Sequence, residues 1–387
     1  MLWIISGAGL LVLLYLLRKV EGSAPSQPSR NAPLEEALPD YLASLAHRPL
    51  RRSPGRLFLR RTDRYTLDKS LRGLRSLSKE ELLPAASVLN DHGRFLQEEI
   101  AALMRNLAHS SPIPAYSDGE TRLGCFAREL FAHTDAALTP EGLARAVEAW
   151  QRQAPFSVKE LFLLPDALRQ ALLTLLAGLA EQCAAEQQTR QAALLTVAAL
   201  KACREKRAQK LFRTYRHNKL YLSTLLNDIH KAPEGDAAIW SRQLPLLYEL
   251  SAGQLADDEC SRQSDTVRWV SHAIDSLQQI GHMPWNHLSE QWDRCHTLLE
   301  ADPVYVRMDE ESRAAYRQRA DEIGWYGQRS AQAVCDAALK LAQGFAPEDV
   351  RSHVGYYLLD DGTEQLLAAL RLEKSLSLQL RLGIRLS

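Results

Sequence analysis

Histidines and paired carboxylates are the side chains in this sequence that could do chemistry, as ligands of a metal ion. His282 and His287 lie five residues apart, a spacing that does not bring two imidazoles onto one helix face as an HExxH motif does. The acidic pairs at 257–258 and 360–361 could hold a metal-bound nucleotide, but neither follows the hydrophobic strand that presents such carboxylates in a doubly wound fold. We therefore predict no metal site and interpret the acidic pairs as solvated loop residues.

The sequence also lacks the short motifs that bind phosphate or carry a nucleophile. It contains no GxGxxG, no GxxxxGK[ST] and no GxSxG. Its six cysteines form no CxxC pair, which is typical of free thiols in a reducing compartment. These observations predict no catalytic residue, no bound cofactor and no enzymatic activity for the chain on its own.

The composition of the 387 residues favours a helical protein. Forty-seven basic residues balance 47 acidic ones, which argues against a nucleic-acid partner attracted by the charge of the whole chain. Ala, Leu, Glu, Gln and Arg are frequent, whereas β-branched residues are sparse. We predict an all-α fold: one N-terminal transmembrane helix, then a cytoplasmic multi-helix domain in two subdomains.

The first 17 residues, MLWIISGAGLLVLLYLL, carry no charged side chain and are followed by Arg18 and Lys19. A helix of this length spans roughly 26 Å, which is short but sufficient to cross a bilayer. A cleaved signal peptide, the alternative, would carry basic residues ahead of its apolar run, and here they follow it. The pattern favours a signal anchor at 1–18 in a bacterial inner membrane, with the N-terminus outside and the body in the cytoplasm.

A stretch rich in Pro and Ser follows the anchor, and we interpret residues 19–52 as a flexible basic linker. The segment 49–64, PLRRSPGRLFLRRTDR, is strongly basic. Its arginines could contact anionic lipid head groups, at about 1 kcal/mol per basic residue near the surface. They could equally form a solvated topology signal, and the sequence leaves both interpretations open.

Residues 155–179, PFSVKELFLLPDALRQALLTLLAGL, are strongly apolar. A helix that is apolar around most of its circumference is buried on most sides. We therefore predict a central core helix with a kink or a short lead-in turn ahead of Pro165, where the long helix begins. The alternative is a second membrane span, in which Asp166 and Arg169 would each cost roughly 2.5–3.5 kcal/mol near the bilayer centre.

Local signals predict further elements. Ser78 with Glu81 forms a capping-box pattern, and Thr139 precedes Pro140 as an N-cap precedes the first helical residue. The basic tract 201–219 has the spacing of the solvated face of one long helix, although it could instead bind an acidic partner. We interpret residues 353–361 as extended or as a turn.

Breaks in the helical pattern at 251–257 predict a division into subdomains at 53–250 and 257–370. A tail at 371–387 follows, in which every second residue from 376 to 386 is apolar. This is the period of a strand, but no other strand is predicted for it to pair with. The structure of the tail is left open, as a disordered end or the sign of a shortened gene.

An ordered series of short motifs runs along roughly residues 80–365, among them ELFAHTD, KELFLLPDALR, DPVYVRMD and HVGYYL. This series resembles the N-terminal region of bacterial cyclic β-1,2-glucan synthases. The residues of these motifs to which the resemblance assigns structural or interaction roles are Glu129, His133, Asp135, Glu160, Pro165, Arg169, Arg307, Asp309, Tyr316, His353, Tyr356 and Tyr357.

Members of that family are very large membrane proteins. A helical N-terminal region precedes transmembrane helices and a glycosyltransferase domain that uses UDP-glucose, and a phosphorylase-like module ends the chain. The catalytic residues of the family lie beyond the matched region, so none can be transferred to this sequence. The resemblance implies a membrane-anchored, non-catalytic helical scaffold from a split or truncated synthase.

The expected partners are the lipid bilayer, through residues 1–18, and a glucosyltransferase subunit or the remainder of a split synthase. No nucleic acid is expected. Two other functions stay open. The chain could be a stand-alone membrane-tethered interaction module, or it could itself transfer glucose from UDP-glucose, against which the missing nucleotide-binding pattern argues.

Overall fold

The computed structural model describes residues 38–51, 53–231, 239–240 and 252–372, with side chains described from residue 257 in the last range. Within these ranges the prediction of an all-α fold is confirmed: seventeen α-helices and two short 3₁₀ turns occur, and β-type pairing is limited to isolated bridges. The predicted membrane helix and nearly all of the tail lie outside the described residues, as does much of the linker.

The helices of the described chain are, in order, α1 (Leu38–Leu45), α2 (Arg61–Arg75), α3 (Pro84–Asp91), α4 (Gly93–Ala108), α5 (Arg122–His133), α6 (Pro140–Gln153), α7 (Val158–Lys201), α8 (Glu205–Tyr215), α9 (Lys219–Lys231), α10 (Ala252–His282), α11 (Trp285–Trp292), α12 (Arg294–Leu299), α13 (Pro303–Val306), α14 (Glu310–Gly327), α15 (Ala331–Ala342), α16 (Val354–Leu358) and α17 (Thr363–Ala369). The 3₁₀ turns are Lys79–Glu81 and Val350–Ser352.

The helices group into two compact units, each assembled from separate stretches of chain. Unit one contains Tyr65–Arg94 and Leu176–Ser271, and unit two contains the described residues of 33–64, Phe95–Leu175 and those from His272 onward. The predicted division into 53–250 and 257–370 is a different one, and it stays a prediction.

Unit one has its core where the end of α7 packs with α8 and α9. Leu222, Leu225 and Ile229 of α9 are buried at spacings of three and four residues, which place them on one helix face. The prediction of one long helix through the basic tract is wrong, because α7 ends at Lys201 and Cys203 adopts a positive φ of 52°. Apart from the half-buried Arg216, the Lys and Arg side chains of the tract nevertheless face solvent.

Unit two is built around aromatic and aliphatic side chains from several helices. The ring of Trp150 in α6 is fully buried, meets Phe126 of α5 edge-on at 5.3 Å and stacks on Phe156 at 5.6 Å. A second cluster of buried side chains is shared by all the helices from α12 to α17 and includes Leu299 and Tyr357. Each aromatic ring buries about 150–250 Å², so these contacts provide much of the hydrophobic core.

Both predicted caps are present. Glu81 accepts a hydrogen bond from the backbone N–H of Ser78 at 3.0 Å, although this box closes only one 3₁₀ turn. The Thr139 side chain accepts from the backbone N–H of Gly142 at 3.0 Å and begins α6, with Pro140 as its first residue.

Two local predictions are wrong. The central helix α7 begins at Val158, so Pro165 lies inside it rather than at its start. Residues 353–361 are neither extended nor only a turn, because residues 354–358 form the short helix α16, and the N–H of Val354 is bonded to the Asp302 carboxylate at 2.8 Å. In both cases a side chain distant in sequence accepts a hydrogen bond from the first N–H group of the helix.

Helix α7 is also the described helix that is long and apolar enough to cross a membrane. Half of its most apolar 18-residue window is buried within the protein. Length and composition of this kind also fit the core helix that the sequence predicts, so they are weak evidence for a membrane span.

Candidate functional site

The Glu160 carboxylate is fully buried in the first turn of α7. It accepts a hydrogen bond from Arg122 Nε of α5 at 2.9 Å and another from the backbone N–H of Ser157 at 2.9 Å. Arg122 also donates to the Pro155 carbonyl at 2.9 Å. Removal of either the Arg122 guanidinium or the Glu160 carboxylate would be destabilising, because it would leave the other buried charge uncompensated. The pair ties α5 to the start of α7.

Glu129 and His133 lie one turn apart on α5 and join it to α1. Glu129 accepts a hydrogen bond from the Tyr41 hydroxyl at 3.0 Å, and the Tyr41 ring lies 4.7 Å from that of His133. Burial and the neighbouring Glu129 raise the pKa of Tyr41. Asp135 follows the helix at a positive φ of 50°, and its carbonyl accepts from His272 Nδ1 at 3.1 Å.

Pro165 and Arg169 lie on one face of α7, four residues apart. Arg169 Nε lies 3.3 Å from Glu99 Oε2 of α4, and Asn106 of α4 donates to Asp166 at 3.0 Å. These contacts hold α4 against the N-terminal half of α7. The polar residues that would oppose a membrane span are therefore paired within the protein.

His353 and Tyr316 form a chain of hydrogen bonds with Asp302. His353 Nδ1 lies 2.9 Å from Asp302 Oδ2, and its Nε2 lies 3.0 Å from the Tyr316 hydroxyl. Burial acts to raise the pKa of Asp302, but hydrogen bonds from His353 and from backbone N–H groups, Val354 among them, lower it to about 2. This chain connects α13, α14 and α16.

The remaining candidates are distributed around the same helices. Tyr357 is buried and donates to a backbone carbonyl of α15 at 3.3 Å, and its ring meets Tyr356 edge-on at 5.2 Å. Asp309 caps α14 by accepting from the Ser312 N–H at 2.8 Å, which lowers its pKa. Arg307 is exposed at the end of α13.

The most buried cation of this region is Arg317 of α14, for which the sequence predicts no partner. Its Nε lies 2.9 Å from Asp293, and its Nη1 donates to the Tyr305 hydroxyl at 3.1 Å. The same hydroxyl lies 3.0 Å from His296 Nδ1. Burial raises the pKa of Asp293 to about 6 despite this cation. No spacing rule links residues 24 positions apart, so only the folded chain reveals the pair.

What these groups can do chemically is hold helices in place. The candidates from Glu129 to Arg169 join α1, α4, α5 and α7. Tyr316 and His353 join α13, α14 and α16. Within the described ranges no group of three or more His, Cys, Asp or Glu side chains is arranged to hold a metal ion. The arrangement is that of a polar framework inside a helical body.

The basic segment near the predicted anchor presents an ordered face. Leu57 and Leu59 are buried, whereas Arg56, Phe58 and Arg60 between and beside them are exposed, Phe58 by 62 %. Alternation of this kind is the side-chain period of an extended chain. We call the three exposed residues the Arg-Phe-Arg face.

No family model matches the chain, and no curated protein is significantly similar to it.

Proposed function

We propose that this chain is a membrane-anchored, non-catalytic helical scaffold that supports UDP-glucose-dependent glucan synthesis by a partner glucosyltransferase, as one part of a split or truncated synthase. The observation that carries the proposal is the role of the motif residues. Glu160, Arg169 and His353 join helices through ion pairs and hydrogen bonds instead of converging on a cleft. Residues used in this way preserve a shape, which is what a docking partner requires.

The Arg-Phe-Arg face supports the membrane part of the proposal. Arginines next to an anionic bilayer each contribute about 1 kcal/mol, and an exposed aromatic ring suits the interface between head groups and acyl chains. The face follows the predicted anchor and linker directly in the sequence, so the anchor would keep it near the cytoplasmic surface. The proposed topology is a single-pass protein of a bacterial inner membrane with its body in the cytoplasm.

The non-catalytic part is tested by UDP-glucose binding to the full chain in detergent micelles, measured by calorimetry. The proposal predicts no saturable binding, because a scaffold leaves the nucleotide sugar to its partner. Specific binding in the micromolar range would overturn it in favour of a glucosyltransferase activity in this chain. UDP-galactose is the control for specificity.

The scaffold part is tested by affinity purification of the tagged full chain from solubilised membranes, with incorporation of glucose from UDP-glucose measured in the eluate. The proposal predicts activity that co-purifies with the chain. Purification of the intact chain without such activity would contradict the proposal. The function that then remains is that of a stand-alone interaction module.

A further inference from the structure

Unit two contains a cavity of about 280 Å³ beside the start of α7. Trp325 and Tyr326 of α14 form one part of its lining, and Pro54, Pro112 and Pro114 contribute further apolar surface. The volume lies just below the range of about 300–1,000 Å³ that is typical for drug-sized ligands. The cavity therefore suits a small ligand with apolar faces.

The carboxyl and amine groups of the cavity belong to Asp321, Glu322 and Lys159. Asp321 accepts the first N–H of α7, that of Val158, at 2.6 Å, and Lys159 Nζ lies 3.5 Å from Glu322 Oε1. Burial raises the pKa of Asp321 to about 8, so its carboxyl group can both donate and accept a hydrogen bond at neutral pH.

These groups select against charged ligands. A phosphate would meet the Glu322 carboxylate, while the amine that could attract it is already paired with that carboxylate. A neutral ring with hydroxyl groups at its rim and C–H groups on its faces fits better. The hydroxyls find carboxyl and Ser157 hydroxyl partners, and the C–H faces find aromatic and proline surface.

We propose that this cavity binds a neutral saccharide, with Trp325 packing against one face of a sugar ring and Asp321 and Glu322 bonding its hydroxyls. The choice of a β-linked glucoside as the saccharide rests on the proposed function, in which the partner makes a glucan. The cavity would then hold a glucan end close to the scaffold.

The test is a titration of the full chain in detergent micelles with sophorose, the β-1,2-linked disaccharide of glucose, followed by tryptophan fluorescence and calorimetry. Saturable binding is expected, and Trp325→Ala is expected to weaken it roughly tenfold through the lost ring contact. Trp325→Phe should retain most of the affinity. Trp285→Ala, a change at a half-buried tryptophan outside the cavity, is the matched control.

A pH series distinguishes a role of Asp321 from general loss of structure. Binding to the native chain should weaken above about pH 8, where Asp321 loses its proton, and binding to Asp321→Asn should not. The charges that act on Asp321 are Asp293 before α12 and, on α7, Glu160 and Lys159. Each variant is first checked for an unchanged thermal unfolding profile or an increased Tm.

Three outcomes would overturn the proposal. The first is that the native chain shows no saturable binding of sophorose, laminaribiose or maltose, and the second is that Trp325→Ala leaves sophorose binding unchanged. The third is that the tryptophan fluorescence responds to a proline-rich peptide and to none of these sugars. None of them bears on the scaffold function, which is measured separately as glucosyltransferase activity that co-purifies with the chain. If the chain binds a saccharide but no such activity co-purifies with it, the cavity is a saccharide site and the scaffold function is contradicted.

Discussion

Arg317 Nε lies 2.9 Å from Asp293 Oδ2, and the two side chains are only 1 % and 5 % exposed. The Nε–H bond of Arg317 does not point at the Asp293 carboxylate. The contact is therefore an ion pair and not a hydrogen bond. Such a pair contributes little net stability relative to apolar side chains, but the loss of one partner leaves a buried charge. It therefore fixes the arrangement of α12 and α14.

Arg317→Met is expected to lower the free energy of unfolding by about 3–5 kcal/mol at pH 7, because Asp293 would stay buried without its cation. Denaturant unfolding measures the loss. Arg307→Met, at an exposed arginine nearby, should stay within about 0.5 kcal/mol of the native chain. Equal effects of the two changes would show that the buried pair has no structural role.

Leu172→Asp should prevent unit two from folding, because Leu172 is fully buried in α7 and the new carboxylate would have no partner. The matched control is Leu195→Asp on the same helix, where the leucine is 50 % exposed. Circular dichroism and thermal unfolding compare the two variants. An unchanged Tm for Leu172→Asp would show that this face of α7 is not part of the core.

Acid should destabilise the chain through Asp302. Its pKa in the folded chain is about 2, below the value of about 3.9 in an unfolded chain, so the stabilisation is complete above pH 4 and disappears as the pH falls towards 2. A shift of this size corresponds to about 2.5 kcal/mol. Asp302→Asn should be less stable than the native chain at pH 5 and approach it near pH 2.5. A constant difference between the two would contradict the assignment.

Asp321 has the opposite dependence. Its folded pKa of about 8 lies above the unfolded value, so stability is present at low pH and decreases as the pH rises from about 4 to 8. Asp321→Asn should therefore raise Tm by roughly 5 °C at pH 8 and have little effect at pH 4. Glu322→Gln is the control on the same helix, and an equal gain from it would contradict the account.

Part of this architecture can be predicted from the sequence. The all-α fold, the Thr139 cap and the capping box of Ser78 and Glu81 follow from composition and local signals, because capping depends on residues three or four positions apart. Pro165 misled the prediction because Asp321, far away in the sequence, caps the true start of α7.

The pairs that hold the candidate residues lie further apart than any helical spacing. Arg122 and Glu160 are separated by 38 positions, and Asp302 and His353 by 51. The sequence shows that each of these residues can bond but not to which partner, since the partner depends on how the helices pack. The cavity beside Trp325 was missed for the same reason.

Membrane attachment gives a further prediction. Deletion of residues 1–17 should release the chain from membranes washed with high salt, because the anchor would be gone while the Arg-Phe-Arg face is screened. At low salt the shortened chain should still bind vesicles that contain phosphatidylglycerol, and Arg56→Ala with Arg60→Ala should weaken this binding roughly 30-fold. Retention after the salt wash would instead indicate insertion of α7.

The central claim is tested most directly by glucan synthesis in membranes of the source organism. Incorporation of glucose from UDP-glucose is measured after deletion of the gene and after re-expression of the full chain. The scaffold account predicts a several-fold loss on deletion and recovery on re-expression, although the purified chain alone is inactive. Unchanged incorporation after deletion would contradict it.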